Sequence, residues 1–106
     1  MELFDITLYV VCRTDEVHEN ELKQFVLNGK EILVINRNIR FYCLEARCTH
    51  AGAPLAEGEL ENGVLKCPWH ASRFNIETGE VINGPAKKQL RIYYSTVKEK
   101  NLFVKL

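Results

Sequence analysis

Apolar and polar residues alternate with a period of two near both ends of the chain, the pattern of strands that bury one face. In "ITLYVVC" the residues Ile6, Leu8, Val10 and Cys12 share one side. "ELKQFVL" runs into Asn28-Gly29, a dipeptide suited to a two-residue hairpin turn. The stretch beyond it, "EILVI", is almost continuously apolar and suits a buried strand. Asn36 to Asn38 predicts another turn before "IRFYCLEA", where Ile39, Phe41 and Cys43 alternate against Arg40, Tyr42 and Leu44. "LRIYYSTV" and "LFVKL", joined by the polar "KEKN", resume the alternation. A short helix in "HENELKQFV" is the one competing reading, and its apolar residues are sparse.

The middle of the chain differs. From about Cys48 to Pro85 it holds five of the six glycines and all three prolines. Asn62-Gly63, Thr78-Gly79 and Asn83-Gly84-Pro85 mark turns, with short strands such as "VLKC" and "RFNI" between them. The pattern predicts an all-β framework around a loop-rich insert.

Composition adds bounds. The 106 residues fit a single domain, and 46% apolar with 26% charged residues is ordinary for a packed protein. A formal net charge of zero offers no electrostatic case for nucleic acid or an anionic membrane. No apolar run approaches the roughly 18–20 residues needed to span a bilayer. The acidic N-terminus "MELFD" lacks the basic start of an export signal, so a soluble, cytoplasmic protein is expected. In that compartment four cysteines point to metal binding before disulfides.

The chemistry concentrates in two pairs. Cys48-x-His50 is followed after sixteen residues by Cys67-x-x-His70. A structural zinc with two Cys and two His ligands is one reading. Paired zinc ligands usually stand two to four residues apart, and the single-residue gap in "CTH" is poor for one ion. On extended backbone the two Cα atoms lie about 6.5 Å apart. A two-iron cluster relaxes this, because each pair can give one ligand to each iron.

"CTH", sixteen residues, then "CPWH" followed by "ASRF" resembles the Rieske 2Fe–2S signature, and "TGEVINGPA" is similar to the proline loop that covers the cluster in that family. The resemblance implies an antiparallel β-sandwich or barrel framework over residues 1–106, with a cluster-binding subdomain at about 46–86. It implies that Cys48 and Cys67 hold the inner iron and His50 and His70 the outer one, through Nδ1, with the Nε2 edges near solvent. Two neutral imidazoles in place of two thiolates take the oxidised core from a formal charge of minus two to zero. Adding an electron then costs less, and the potential lies above the plant-type level.

Neighbouring residues refine the class. Respiratory Rieske proteins carry a cluster-side disulfide whose positions here are Ala53 and Trp69, so that bridge cannot form. Ser72 matches a serine whose hydroxyl donates toward the cluster, whereas a tyrosine of that family is replaced by Phe74. Fewer donors imply a potential at the low end of the roughly −150 to +300 mV Rieske range. Ala71 stands where many relatives have glycine, and an ordinary backbone conformation is expected for it. Pro68 and Trp69 are expected to shield the cluster or simply to pack. Ala51, Pro54, Leu55 and Pro85 are expected to form an apolar rim around the imidazoles. Cys12 and Cys43 read as buried free thiols and His18 as solvated surface. Glu57, Glu59 and Glu61 form an acidic stripe, and Lys87, Lys88 and Arg91 a comparable basic group.

These features imply a Rieske-type ferredoxin, an electron carrier without an active site of its own. The resemblance implies a flavin or NAD(P)H-linked reductase upstream and an oxygenase or other acceptor downstream. A Rieske-like small subunit of a nitrite reductase-type complex is the alternative, and a zinc-stabilised binding module a third.

Overall fold

A computed structural model describes residues 7–106; Ile6, and with it the start of the first alternating run, lies outside them. Among the described residues eleven strands form three antiparallel sheets. The first has the order β1-β11-β10, from Tyr9–Arg13, Asn101–Val104 and Ser95–Lys98. The second has the order β2-β3-β4-β9, from Leu22–Leu27, Lys30–Arg37, Arg40–Glu45 and Ile92–Tyr93. The third, β5-β6-β7-β8, comprises Glu59–Glu61, Val64–Lys66, Arg73–Asn75 and Val81–Asn83. Among the described residues no helix is long and apolar enough to cross a membrane.

The second sheet is the central layer, which explains "EILVI". Ile32 and Val34 point into one core with Cys12, Val17, Cys43, Tyr93, Leu102 and Val104. Leu33 and Ile35 point into the other, with Leu44, Leu55, Leu65, Phe74 and Leu90. A strand covered on both faces has no polar side to show, so its period-two signal disappears. Burying each such aliphatic side chain stabilises the fold by about 1.5–3 kcal/mol.

Turn chemistry sets the registers. Asn28 and Gly29 adopt φ of 51° and 78°, and Leu27 pairs with Lys30 across them. Asn62 and Gly63, at 50° and 78°, do the same between Glu61 and Val64. Both central residues of such a turn need positive φ, which Asn-Gly tolerates.

Three sequence expectations change. The turn after β3 falls on Asn38 and Ile39, at φ 55° and 66°, so β3 continues through Arg37 and Ile39 is not a strand residue. Its side chain is 88% exposed. β1 does not keep one face, because its pairing with β11 shifts between Val10 and Cys12. Such a bulge turns Val10 outward while Cys12 stays buried. "LRIYYSTV" divides between β9 and β10, which lie in different sheets, leaving Tyr94 exposed at the crossing. The "HENELKQFV" segment is a turn followed by strand β2.

Candidate metal centre

Both Cys/His pairs lie in closed turns of the same size. The Cys48 N–H donates to the Ala53 carbonyl at 2.9 Å, and the Cys67 N–H donates to the Ser72 carbonyl at 2.8 Å. Each cysteine is thus tied to the carbonyl five residues on, with the histidine inside the turn. The first turn follows β4 and the second follows β6, so the second core supports both.

Burial separates the two ligand types. Cys48 and Cys67 are each 3% exposed and belong to the core, whereas His50 and His70 are exposed. The thiols interact directly with each other, and the imidazole centroids are 5.0 Å apart at 85°. Burial raises the pKa of the Cys67 thiol, a hydrogen bond from the Trp69 backbone opposes this, and the Cys48 thiol adds to the rise. Among the described residues no three His, Cys, Asp or Glu side chains converge on one point. The four candidate ligands group two and two. That arrangement fits a two-iron cluster with one pair per iron, and lacks the fourfold convergence of a tetrahedral zinc.

The surroundings hold the turns in place. Ser72 is fully buried, and its Oγ accepts the Ala86 N–H at 3.0 Å. This bond fastens the proline loop to the second turn and leaves the hydroxyl proton available to another acceptor. Gly84 lies so close that a Cβ there would stand 2.5 Å from the Ser72 Cα, and its φ is +99°. Only glycine fits both demands. Pro85 is exposed beside this contact. Ala53 and Phe74 are fully buried in the core.

Two expectations are corrected here. Ala71 has φ 61°, a left-handed conformation, because the chain reverses between His70 and Ser72. Its N–H donates to the Trp69 carbonyl in that turn. Leu55 does not belong to an apolar rim; it is fully buried, since its N–H pairs with the Ala46 carbonyl and draws its side chain inward. Ala51, Pro68 and Pro85 are exposed, Pro54 is half-buried and Trp69 is 50% exposed.

Arg47 is a residue the sequence did not single out. Its Nε and Nη2 donate to the two carboxylate oxygens of Glu31 at 2.7 and 3.1 Å, and its Nη1 donates to the Gly52 carbonyl at 3.0 Å. The guanidinium thereby anchors the first turn to β3, and the Arg47 side chain lowers the pKa of Glu31. Glu31 lies sixteen residues upstream, so no local pattern announces the pair. Thr49 is similarly unannounced: its Oγ1 donates to the Lys88 carbonyl.

Elsewhere, Cys12 and Cys43 are free and buried, and His18 is exposed. Glu57, Glu59 and Glu61 are exposed, with Glu59 directly across from Lys66 in the β5–β6 pair.

The chain is thus a layered β fold in which two turns of equal size present paired buried thiols and paired exposed imidazoles. Comparison specifies the kind: the Rieske [2Fe-2S] domain model matches residues 7–94, and the chain belongs to that family. A 2Fe–2S cluster is the cofactor the family implies. The chain is 34% identical over 107 residues to the ferredoxin component of the p-cumate 2,3-dioxygenase system of Pseudomonas putida, covering 98% of this chain and 91% of that one. It is 30% identical over 95 residues to human apoptosis-inducing factor 3; the match covers 90% of this chain but spans only 16% of that protein's length. Among solved structures, the ferredoxin of carbazole 1,9a-dioxygenase from Nocardioides aromaticivorans IC177 superposes with a TM-score of 0.89 at 26% identity, covering 93% of this chain and 97% of that one.

Proposed function

We propose that the chain is a one-electron carrier acting as one folded unit, in which Cys48 and Cys67 hold one iron of a 2Fe–2S cluster and His50 and His70 hold the other. The observation that carries this is the gradient across the site: paired thiols in the core, paired imidazoles at the surface. When bound, a cluster of this kind would supply one electron at a time.

The chain's own residues supply the rest. The buried cysteines and the packing of Ala53 and Phe74 keep water from the thiolate side. The exposed histidines bring one edge of the site to the surface, where a partner approaches it. Ala51, next to His50 in the chain, Pro68 and Trp69, just before His70, and Pro85 of the proline loop expose short or rigid apolar groups, which are released from water on contact. Ser72 sets the proline loop against the second turn and has a proton to donate toward the sulfurs.

The relative from P. putida is a ferredoxin component of a dioxygenase system. That likeness supports a position between a flavin or NAD(P)H-linked reductase and an oxygenase, and a cytoplasmic location belongs to the same proposal.

Purified protein tests the reading. Two irons and two sulfides per chain, a rhombic signal on reduction and a midpoint potential below zero are expected. His50→Ala and His70→Ala each abolish the native signal. Colourless protein with one zinc would sink the proposal, and a midpoint well above zero would refute the low-potential assignment.

A further inference from the structure

We propose that Lys87, Lys88 and Arg91 form a basic docking flank beside the first Cys/His turn, and that it receives an acidic surface on a redox partner protein. This inference rests on the electron-carrier reading above.

The three cations fall within five residues, on the segment that leaves the proline loop, and all are exposed. The backbone beneath them is fixed. Ala86 is bonded to Ser72 Oγ, the Leu90 N–H donates to the Gly79 carbonyl at 2.8 Å, and the Arg91 N–H donates to Glu45 Oε1 at 2.9 Å. Thr49, next to His50, donates its hydroxyl to the Lys88 carbonyl, so the segment is attached to the candidate ligand turn itself.

Fixed backbone with unpaired charge is the informative combination. Among the described residues Arg13 and Arg47 have carboxylate partners, and none of Lys87, Lys88 and Arg91 does. The Arg91 guanidinium lies 5.0 Å from the Tyr93 ring centroid, which limits its wandering. One carboxylate opposes them: Glu45 lines the same groove of about 530 Å³ as Lys88 and Arg91. In that groove two cations face one anion, and the exposed Lys87 adds a third cation next to Lys88. Beside the second turn the balance reverses, with Glu57, Glu59 and Lys66 lining a groove that includes Cys67 and Pro68. The chain has a formal net charge of zero, so net attraction cannot steer a partner. Local charge within a Debye length of about 8 Å can. An acidic partner surface gains by facing the Thr49 side and would meet like charge at the other.

The test uses the reduced cluster-loaded protein and two small oxidants of opposite charge, hexacyanoferrate(III) and hexaamminecobalt(III), in stopped flow across ionic strengths. Oxidation by hexacyanoferrate should slow as salt rises, and oxidation by hexaamminecobalt should quicken. Lys87→Gln with Lys88→Gln should lower the low-salt hexacyanoferrate rate about threefold or more. Arg37→Gln with Arg40→Gln removes the same charge beside the β3–β4 turn, at the opposite end of β4 from the first ligand turn, and should leave the rate nearly unchanged. Equal effects of the two double variants would mean that only net charge matters and would overturn the flank. So would rates that ignore the Lys87 and Lys88 changes. Protein with no reducible centre would instead remove the electron-carrier reading beneath it, and the flank with it.

Discussion

Replacing Ser72 by alanine removes one oxygen from a residue with no exposed surface. That oxygen is the acceptor for the Ala86 N–H, at 3.0 Å, and the bond joins the proline loop to the second ligand turn across fourteen residues. Without it the amide is left near a methyl group in a space too tight for easy rearrangement, since the Gly84 backbone already presses on Ser72. A buried donor left unpaired costs about 1–3 kcal/mol. For a domain of this size each kcal/mol shifts the melting temperature by about 4–8 °C, so the variant should melt about 4–24 °C lower. A second consequence separates this bond from general damage. A hydroxyl that donates toward the sulfurs favours the reduced state, so its loss should lower the midpoint by about 40 mV for each kcal/mol of that interaction. Thermal melts monitored by circular dichroism, hydrogen exchange at the Ala86 amide and a redox titration together read all three effects. A variant that melts with the wild type and keeps the Ala86 amide protected would refute the role assigned to this bond.

Ala71→Gly should raise stability by about 0.5–1 kcal/mol, because glycine removes the strain of a left-handed alanine at φ 61°; denaturant unfolding that shows a loss would contradict the conformation described. Burial raises the Cys43 thiol to about 12 and the Cys12 thiol to about 11, from an ordinary value of 9.0. Above that ordinary value the unfolded chain loses protons that the folded chain keeps, so stability should fall as pH rises from 9 toward 11, by up to about 1.4 kcal/mol per unit for each thiol. Cys43→Ala should reduce that slope, as urea titrations over this range would reveal. Arg47→Met should loosen the first turn and speed loss of visible absorbance at neutral pH. The wild type should show the same weakening only in acid, since the Glu31 pKa is lowered and its contact persists until the carboxylate protonates.

Much of the framework was legible because its signals are local. Asn28-Gly29 and Asn62-Gly63 specify turns through their own backbone freedom, and the registers of β2–β3 and β5–β6 follow from them. The "EILVI" run required burial, although not the reason for it, which is that β3 lies between two other layers. Asn38-Ile39 shows the limit. A β-branched residue at φ 66° is disfavoured locally, and only the pairing of Arg37 with Arg40 places the turn there. Val10 likewise turns outward because β11 imposes a bulge that its own alternation does not contain.

At the site the division is similar. Residue types and spacing alone singled out the candidate donors Cys48, His50, Cys67 and His70, because metal chemistry is selective about both. Tertiary structure decided which donors are dry and which are wet, since exposure depends on how the third sheet stacks against the second. It also decided that Leu55 faces the core, that Ser72 holds Ala86, that Arg47 reaches Glu31 and that Lys88 lies against Thr49. Each of those contacts joins residues at least nine apart in sequence, beyond the reach of turn, period or motif. Local preference extends over only a few residues; the rest is settled by packing, where distant segments compete for the same interior space.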